Sequence, residues 1–222
     1  PAFVINTIVA DVLREIADIL EASADVNASV QKLLQKIASE HARIIFNGDN
    51  YSPDWVQEAA RRGLPNIPSA VESIATILEP ENIAVFERNQ VLSRDEQEAR
   101  VEIFLENYIQ TIHIEAATTL HIVKRQILPV CQNYAGKLAA AAASLGAVGV
   151  KAASFGKQME IVCKLIDELR EAISELEGKV CDISKAPSTY EEAKKSREEV
   201  LPAMASVRKA ADALEMLVDA EV

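Results

Sequence analysis

At 222 residues and 24.2 kDa, with 49% hydrophobic and 26% charged residues, the chain can build one large or two modest cored domains, which excludes intrinsic disorder. No apolar run approaches the roughly 20 residues that span a bilayer, and no charged-then-apolar signal opens the chain, so a soluble cytoplasmic protein with no membrane partner is expected. The net charge of −11 is uneven: residues 1–112 carry 9 basic and 18 acidic side chains, residues 113–222 carry 14 and 16. Neither half has a basic stripe with interleaved aromatics, which argues against a nucleic-acid partner.

The chain opens at Pro1, already apolar and helix-like, with no initiator methionine and no capping sequence ahead of it. This predicts a piece of a longer polypeptide; a processed terminus is the plainer alternative. Val9, Val12, Leu13, Ile16, Ala17, Ile19 and Leu20 then form a broad apolar face on a first helix over Phe3 to Glu21. A second helix is expected from about Ala28 to Ala42.

The stretch ARIIFNGDNYSPDW, Ala42 to Trp55, breaks the helical pattern with a dense polar loop. Asn47-Gly48 and Asp49-Asn50 are turn-forming pairs, and Ser52-Pro53 reads as an N-cap with proline at the first helical position. Ala42 to Phe46 is the best strand candidate, and a short one; no sheet of consequence is expected. Asn47, Asp49, Asn50 and Tyr51 are the candidate site residues, although the plainer reading of Tyr51 is an aromatic packed beside Trp55.

Ser69 with Glu72, Ser93 with Glu96 and Ser188 with Glu191 fit the Ser-x-x-Glu capping box and place three helix starts. After Ser93 come long helices with apolar seams: Val101, Leu105, Tyr108, Ile112, Ala116, Thr119, Val123, Ile127 in one, until Pro129 kinks or ends it, and Met159, Val162, Ile166, Leu169, Ile173, Leu176, Val180 in another. Val200, Val207 and Leu214 fall a heptad apart, with Met204, Ala211 and Val218 as companions. Gly146 and Gly149 mark the tip of a helical hairpin and Lys185-Ala186-Pro187 the next turn, so the seams close on each other as a bundle. No strand precedes the glycines, which speaks against a dinucleotide loop.

Residues with chemical potential are sparse. Cys131, Cys163 and Cys181 lack metal or redox spacing and fit a reducing cytoplasm; Cys163 reads as a structural thiol among apolar neighbours. His113 and His121 are eight apart on one helix and read as ordinary helix histidines, with no metal site expected. The carboxylates from Asp95 through Glu98, Glu102 and Glu106 read as a solvated face, and Lys124-Arg125 as a salt-bridged surface pair before a phosphate contact.

Three segments carry a resemblance to a known family: PAFVINTIVADVLREIADIL, ARIIFNGDNYSPDWVQEAARRGL and FERNQVLSRDEQEARVEIFLENYIQTIHIEA. They resemble the C-terminal region of type III glutamine synthetases, closely from Pro1 to about Leu128 and loosely thereafter. The resemblance implies an all-α fragment of an α+β parent: residues 1–112 as helices closing the catalytic domain, residues 113–222 as a helical bundle extension. It implies a parent that is an ATP-dependent glutamate–ammonia ligase using Mg2+, in nitrogen metabolism. The fragment would supply closing helices and oligomer contacts, hold no catalytic residue, metal or cofactor, and be inactive alone. Its partners would be the remainder of the catalytic domain and further copies in a ring. The loop at Asn47 to Ser52 lies, in chain order, where better-known bacterial glutamine synthetases carry a regulatory tyrosine, and Tyr51 sits in a comparable place within a different surrounding motif. A freestanding helical interaction or scaffold protein without catalysis is the alternative. The fragment reading, unlike this rival, expects exposed apolar surface near Phe3 to Leu20.

Overall fold

The computed structural model describes residues 2–151, 153–183 and 185–219, and among these there are ten α-helices and no strand. In chain order they are α1 (Ala2–Glu21), α2 (Val26–Glu40), α3 (Pro53–Arg61), α4 (Ala70–Ala75), α5 (Pro80–Arg88), α6 (Arg94–Ile122), α7 (Leu128–Ala147), α8 (Ala153–Ile183), α9 (Thr189–Lys195) and α10 (Leu201–Glu215). The all-α fold expected from the periodicity is the fold observed. The chain divides into compact units Pro1–Val101 and Glu102–Val222. The division lies inside α6, a turn-free helix that also contains the 112/113 boundary read from the sequence.

Helix starts follow their caps. Ser93 and Glu96 form the complete reciprocal box: Ser93 N donates to Glu96 Oε2 at 2.8 Å and Glu96 N to Ser93 Oγ at 3.3 Å. Ser69 and Ser188 accept from the amides of Glu72 and Glu191. α2 begins at Val26, before the expected Ala28, because the Asp25 carboxylate caps the Ala28 amide.

In the first unit α1 is inverted relative to an ordinary amphipathic helix. Its buried residues are Thr7 and Asp11, whereas Ile5, Ile8, Val9, Val12, Leu13 and Ile19 are 47–61% exposed. Asp11 accepts from Arg88 through both carboxylate oxygens, from Arg14 at 3.1 Å and from Asn89 at 2.8 Å. Those donors, Arg88 foremost, hold the Asp11 carboxyl far below the usual carboxylate range. Phe3 packs its ring 6.0 Å from that of Phe86, so α1 is anchored on α5 by one aromatic contact and one ionic cluster. α2 has no buried residue.

The second unit is a bundle built around α8. α7 and α10 both pack along it. Gly149, at φ +79°, provides the left-handed residue that ends α7. The seams read from the sequence are the core: Ile112, Ala116, Val123, Val162, Ile166, Leu169, Ile173, Leu176, Val200, Val207 and Leu214 are buried in one cluster, with Tyr108, Met159, Val180, Met204 and Val218 packed against it. Full burial of each large aliphatic side chain contributes roughly 1.5–3 kcal/mol.

Helical structure continues past Pro129, as α7, instead of ending there. A π turn at Val123–Ile127 precedes Leu128-Pro129, and a second at Ser196–Val200 precedes Leu201-Pro202. A proline lacks the amide for the bond to the residue four back and its ring crowds that carbonyl; the wider turn relieves both. Each π turn also sends a charge to α8: Lys124 Nζ lies 2.7 Å from Glu177, and Glu199 lies 2.9 Å from Lys179.

Candidate functional site

The polar loop between α2 and α3 is a pinned structure. Within Ala42 to Phe46, the strand candidate, Ala42–Ile44 form a 3-10 turn instead. The cause is Arg62, at the end of α3, whose Nη1 donates to the carbonyls of Arg43 at 3.1 Å and Ile45 at 2.7 Å. These carbonyls are thereby satisfied without a neighbouring strand. Arg62 is itself aimed by Glu58, which accepts from Arg62 Nε at 2.5 Å and from Arg61 at 2.6–2.7 Å. The two guanidiniums, Arg61 foremost, pull the Glu58 carboxyl down to about 2.

Aromatic packing closes the loop from the other side. The Phe46 ring lies 4.6 Å from Trp55, with the Arg62 guanidinium 5.7 Å over its face. Gly48 sits beneath that ring: a Cβ there would lie 2.5 Å from it, so only glycine permits the approach. A cavity of about 300 Å3 lined by Ile44, Trp55, Val56, Leu64 and Pro65 adjoins this cluster.

The four candidate residues lie on the outer rim. Asp49 organises it, accepting from the Tyr51 amide at 2.9 Å through Oδ1, and from Ser52 N and Oγ at 3.2 and 2.8 Å through its carbonyl. Asn47 and Asn50 are exposed. Tyr51 is 98% exposed, and the aromatic partner of Trp55 is Phe46, which corrects the reading that packed Tyr51 there. Ser52 is the N-cap with Pro53 at the first position, as expected, but its hydroxyl turns back to Asp49. Sequence reasoning missed Phe46, Glu58 and Arg62; the RIIF run and an Arg-Arg pair one turn after Glu58 were the available signals.

Elsewhere, His113 is half-buried and His121 exposed on α6. Cys163, read as a structural thiol, is exposed, and Cys131 is the buried cysteine, its thiol pushed up by desolvation. Among the described residues no three His, Cys, Asp or Glu side chains stand together as a metal site, and no helix is long and apolar enough to cross a membrane.

The fold and loop define an all-helical module: small helices around a pinned polar loop, then a long-helix bundle. The chain belongs to the glutamine synthetase C-terminal domain family, whose model matches residues 29–145. It is 32% identical to a type-3 glutamine synthetase of Dictyostelium discoideum over 99% of this chain and 31% of that protein. It is 28% identical to a glutamine synthetase of Bacteroides fragilis (strain YCH46) over 98% of this chain and 31% of the relative, and 34% identical over 103 residues to one of Butyrivibrio fibrisolvens, covering 46% of this chain and 15% of that enzyme. The chain thus spans at most 31% of the length of these relatives.

Proposed function

We propose that this chain is the C-terminal part of an ATP-dependent glutamate–ammonia ligase of the cytoplasm, in which it closes the catalytic domain and provides oligomer contacts. The observation that carries the reading is α1. A helix whose polar side is locked inward by Asp11 and Arg88 and whose apolar side is open to solvent is half of an interface. Its fitting occupant is the remainder of the catalytic domain. Residues 1–112 are assigned to that closing role and residues 113–222 to assembly.

The residues present do not fit a magnesium–nucleotide site. Asp11, a buried carboxylate, is committed to Arg88, Arg14 and Asn89, and Glu58 is committed to Arg61 and Arg62. In such a ligase, Mg2+ and ATP supply the charge neutralisation and phosphoryl group that activate a carboxylate. Those groups would be held by other parts of the parent. The loop bearing Asn47, Asp49, Asn50 and Tyr51 is assigned an access or regulatory role, because Tyr51 is presented outward from a pinned base, as a side chain open to modification must be.

The test is the intact mass of the native gene product, captured from its host and assayed for magnesium-dependent glutamine formation. A product far heavier than 24.2 kDa that forms glutamine is expected. A 24.2 kDa product without activity would replace this reading with the freestanding interaction protein. The pure 222-residue chain, given ATP, glutamate and ammonia, is expected to release no phosphate.

A further inference from the structure

Near the C-terminal end of α10 the bundle is not filled. A cavity of about 630 Å3 lies between the last turns of α10 and the π turn that leads into α7. That volume is within the roughly 300–1,000 Å3 of small-molecule sites. Its apolar wall is Ile127, Val130, Cys131, Ala211 and Val218. The two fully buried members of that wall, Cys131 and Ala211, are small, in a seam whose other buried positions on α10 include Val207 and Leu214. Small side chains on both helices leave the space between them open.

The polar lining has one sign. Asp212, Glu215 and Asp219 come from α10 and the turn after it, and Gln126 from the π turn; among the described lining residues none is basic. The nearest cation to Asp212 is Arg208, whose Nε lies 3.4 Å away. Asp212 and Glu215 stand where local electrostatics disfavours a carboxylate: they share the last turn of α10, at the negative end of the helix dipole, and that turn holds no basic residue. A cation placed there would offset both effects. Among the described residues no three His, Cys, Asp or Glu side chains converge as a metal site, so the carboxylates suit an extended cation and not a compact ion. An anion would meet like charge, and a purely polar solute would leave the apolar wall uncovered. We propose that this cavity binds a small molecule with an apolar body and a primary ammonium head, the body against Ile127, Val130 and Val218 and the head at Glu215. The Gln126 side chain offers a further acceptor.

This inference goes beyond the ligase reading and does not rest on it. Calorimetric titration of the 222-residue chain with 2-phenylethylammonium, 2-phenylethanol and phenylacetate tests it, since the three share an apolar body and differ in charge. Saturable binding of the ammonium is expected, about fivefold or more tighter than of the alcohol, with none of the carboxylate. Glu215→Gln, at an exposed position, should weaken the ammonium about threefold and leave the alcohol unchanged. Ala211→Leu should fill the space and abolish binding of both. A Cys163→Ser, Cys181→Ser chain keeps Cys131 as its one thiol; there the ammonium should slow reaction with methyl methanethiosulfonate, which locates it in the cavity. If Ala211→Leu does not fold, Glu215→Gln and the thiol protection decide the matter. Absence of saturable binding, phenylacetate bound as tightly as the ammonium, or ammonium binding that neither protects Cys131 nor responds to Glu215→Gln would overturn the inference.

Discussion

The two compact units solve the burial problem in opposite ways. Glu102–Val222 closes on itself: its apolar seams meet around α8, leaving Leu169, Leu176, Ile183 and Leu214 essentially without solvent contact. Pro1–Val101 is held by caps, the Asp11–Arg88 cluster and the Arg62 pins, while the apolar face of α1 stays open and α2 buries nothing. Because packed apolar area dominates folding energy, the bundle owes its stability to itself, whereas the first unit leaves the apolar face of α1 exposed. The same amphipathic periodicity therefore marks a core in one half of the chain and an open apolar face in the other.

The largest effect should come from attacking the bundle core. Leu169→Ala removes a fully buried side chain from α8 and should cost roughly 2–5 kcal/mol, read as a lower denaturant midpoint. Trp55, the sole tryptophan and part of the first unit, reports separately on that unit; a shift of its own midpoint by the same amount would mean that the contrast between the units is wrong.

A smaller effect is expected at the loop. Gly48→Ala places a methyl against the Phe46 ring and should displace that ring from Trp55, changing tryptophan emission and costing about 1–3 kcal/mol. Unchanged emission would show that the ring is not confined as described. Next is the cap of α6: Ser93→Ala should cost about 1 kcal/mol, measured by thermal denaturation, whereas Ser93→Asp should largely preserve stability.

The smallest effect concerns pH. Glu58 is held at about 2 against 4.5 for the free group, so the unfolded state takes up its proton first. Its stabilising contribution is complete above pH 4.5 and is lost as pH falls through about 2. Trp55 emission should change across that window as Arg62 loses its orienting carboxylate, and Glu58→Gln should abolish the transition. A variant that titrates like the wild type would place the responsible group elsewhere.

Much of the bundle was legible before any coordinates, because a seam of alternating three- and four-residue steps has one low-energy use on a helix. Val162, Ile166, Leu169 and Leu176 were read as core and are core. The loop was legible as a loop and as the launch of α3, since turn-forming and capping residues act within a few positions of themselves. Its architecture was not: Arg62 reaches back 17 residues to Ile45, and Phe46 pairs with Trp55 across the Gly48 turn. Contacts of that range depend on where α3 is delivered, which no local pattern encodes. Cys163 was misread for a related reason, its apolar sequence neighbours lying on a different face of α8 from its own side chain.

By itself the sequence determined the helices, their caps and the stripes that each could bury, all consequences of local backbone geometry and periodicity. Only the tertiary structure decided which stripes are used. It turned the polar side of α1 inward because Asp11 found Arg88 and Asn89, and on α6 it buried Leu105, Ile112 and Ala116 while leaving Ile103, Ile114 and Ile122 exposed. It also widened two turns ahead of prolines so that the helices could continue. Each outcome depends on which partners the folded chain brings within a few ångströms, a property of the assembled molecule.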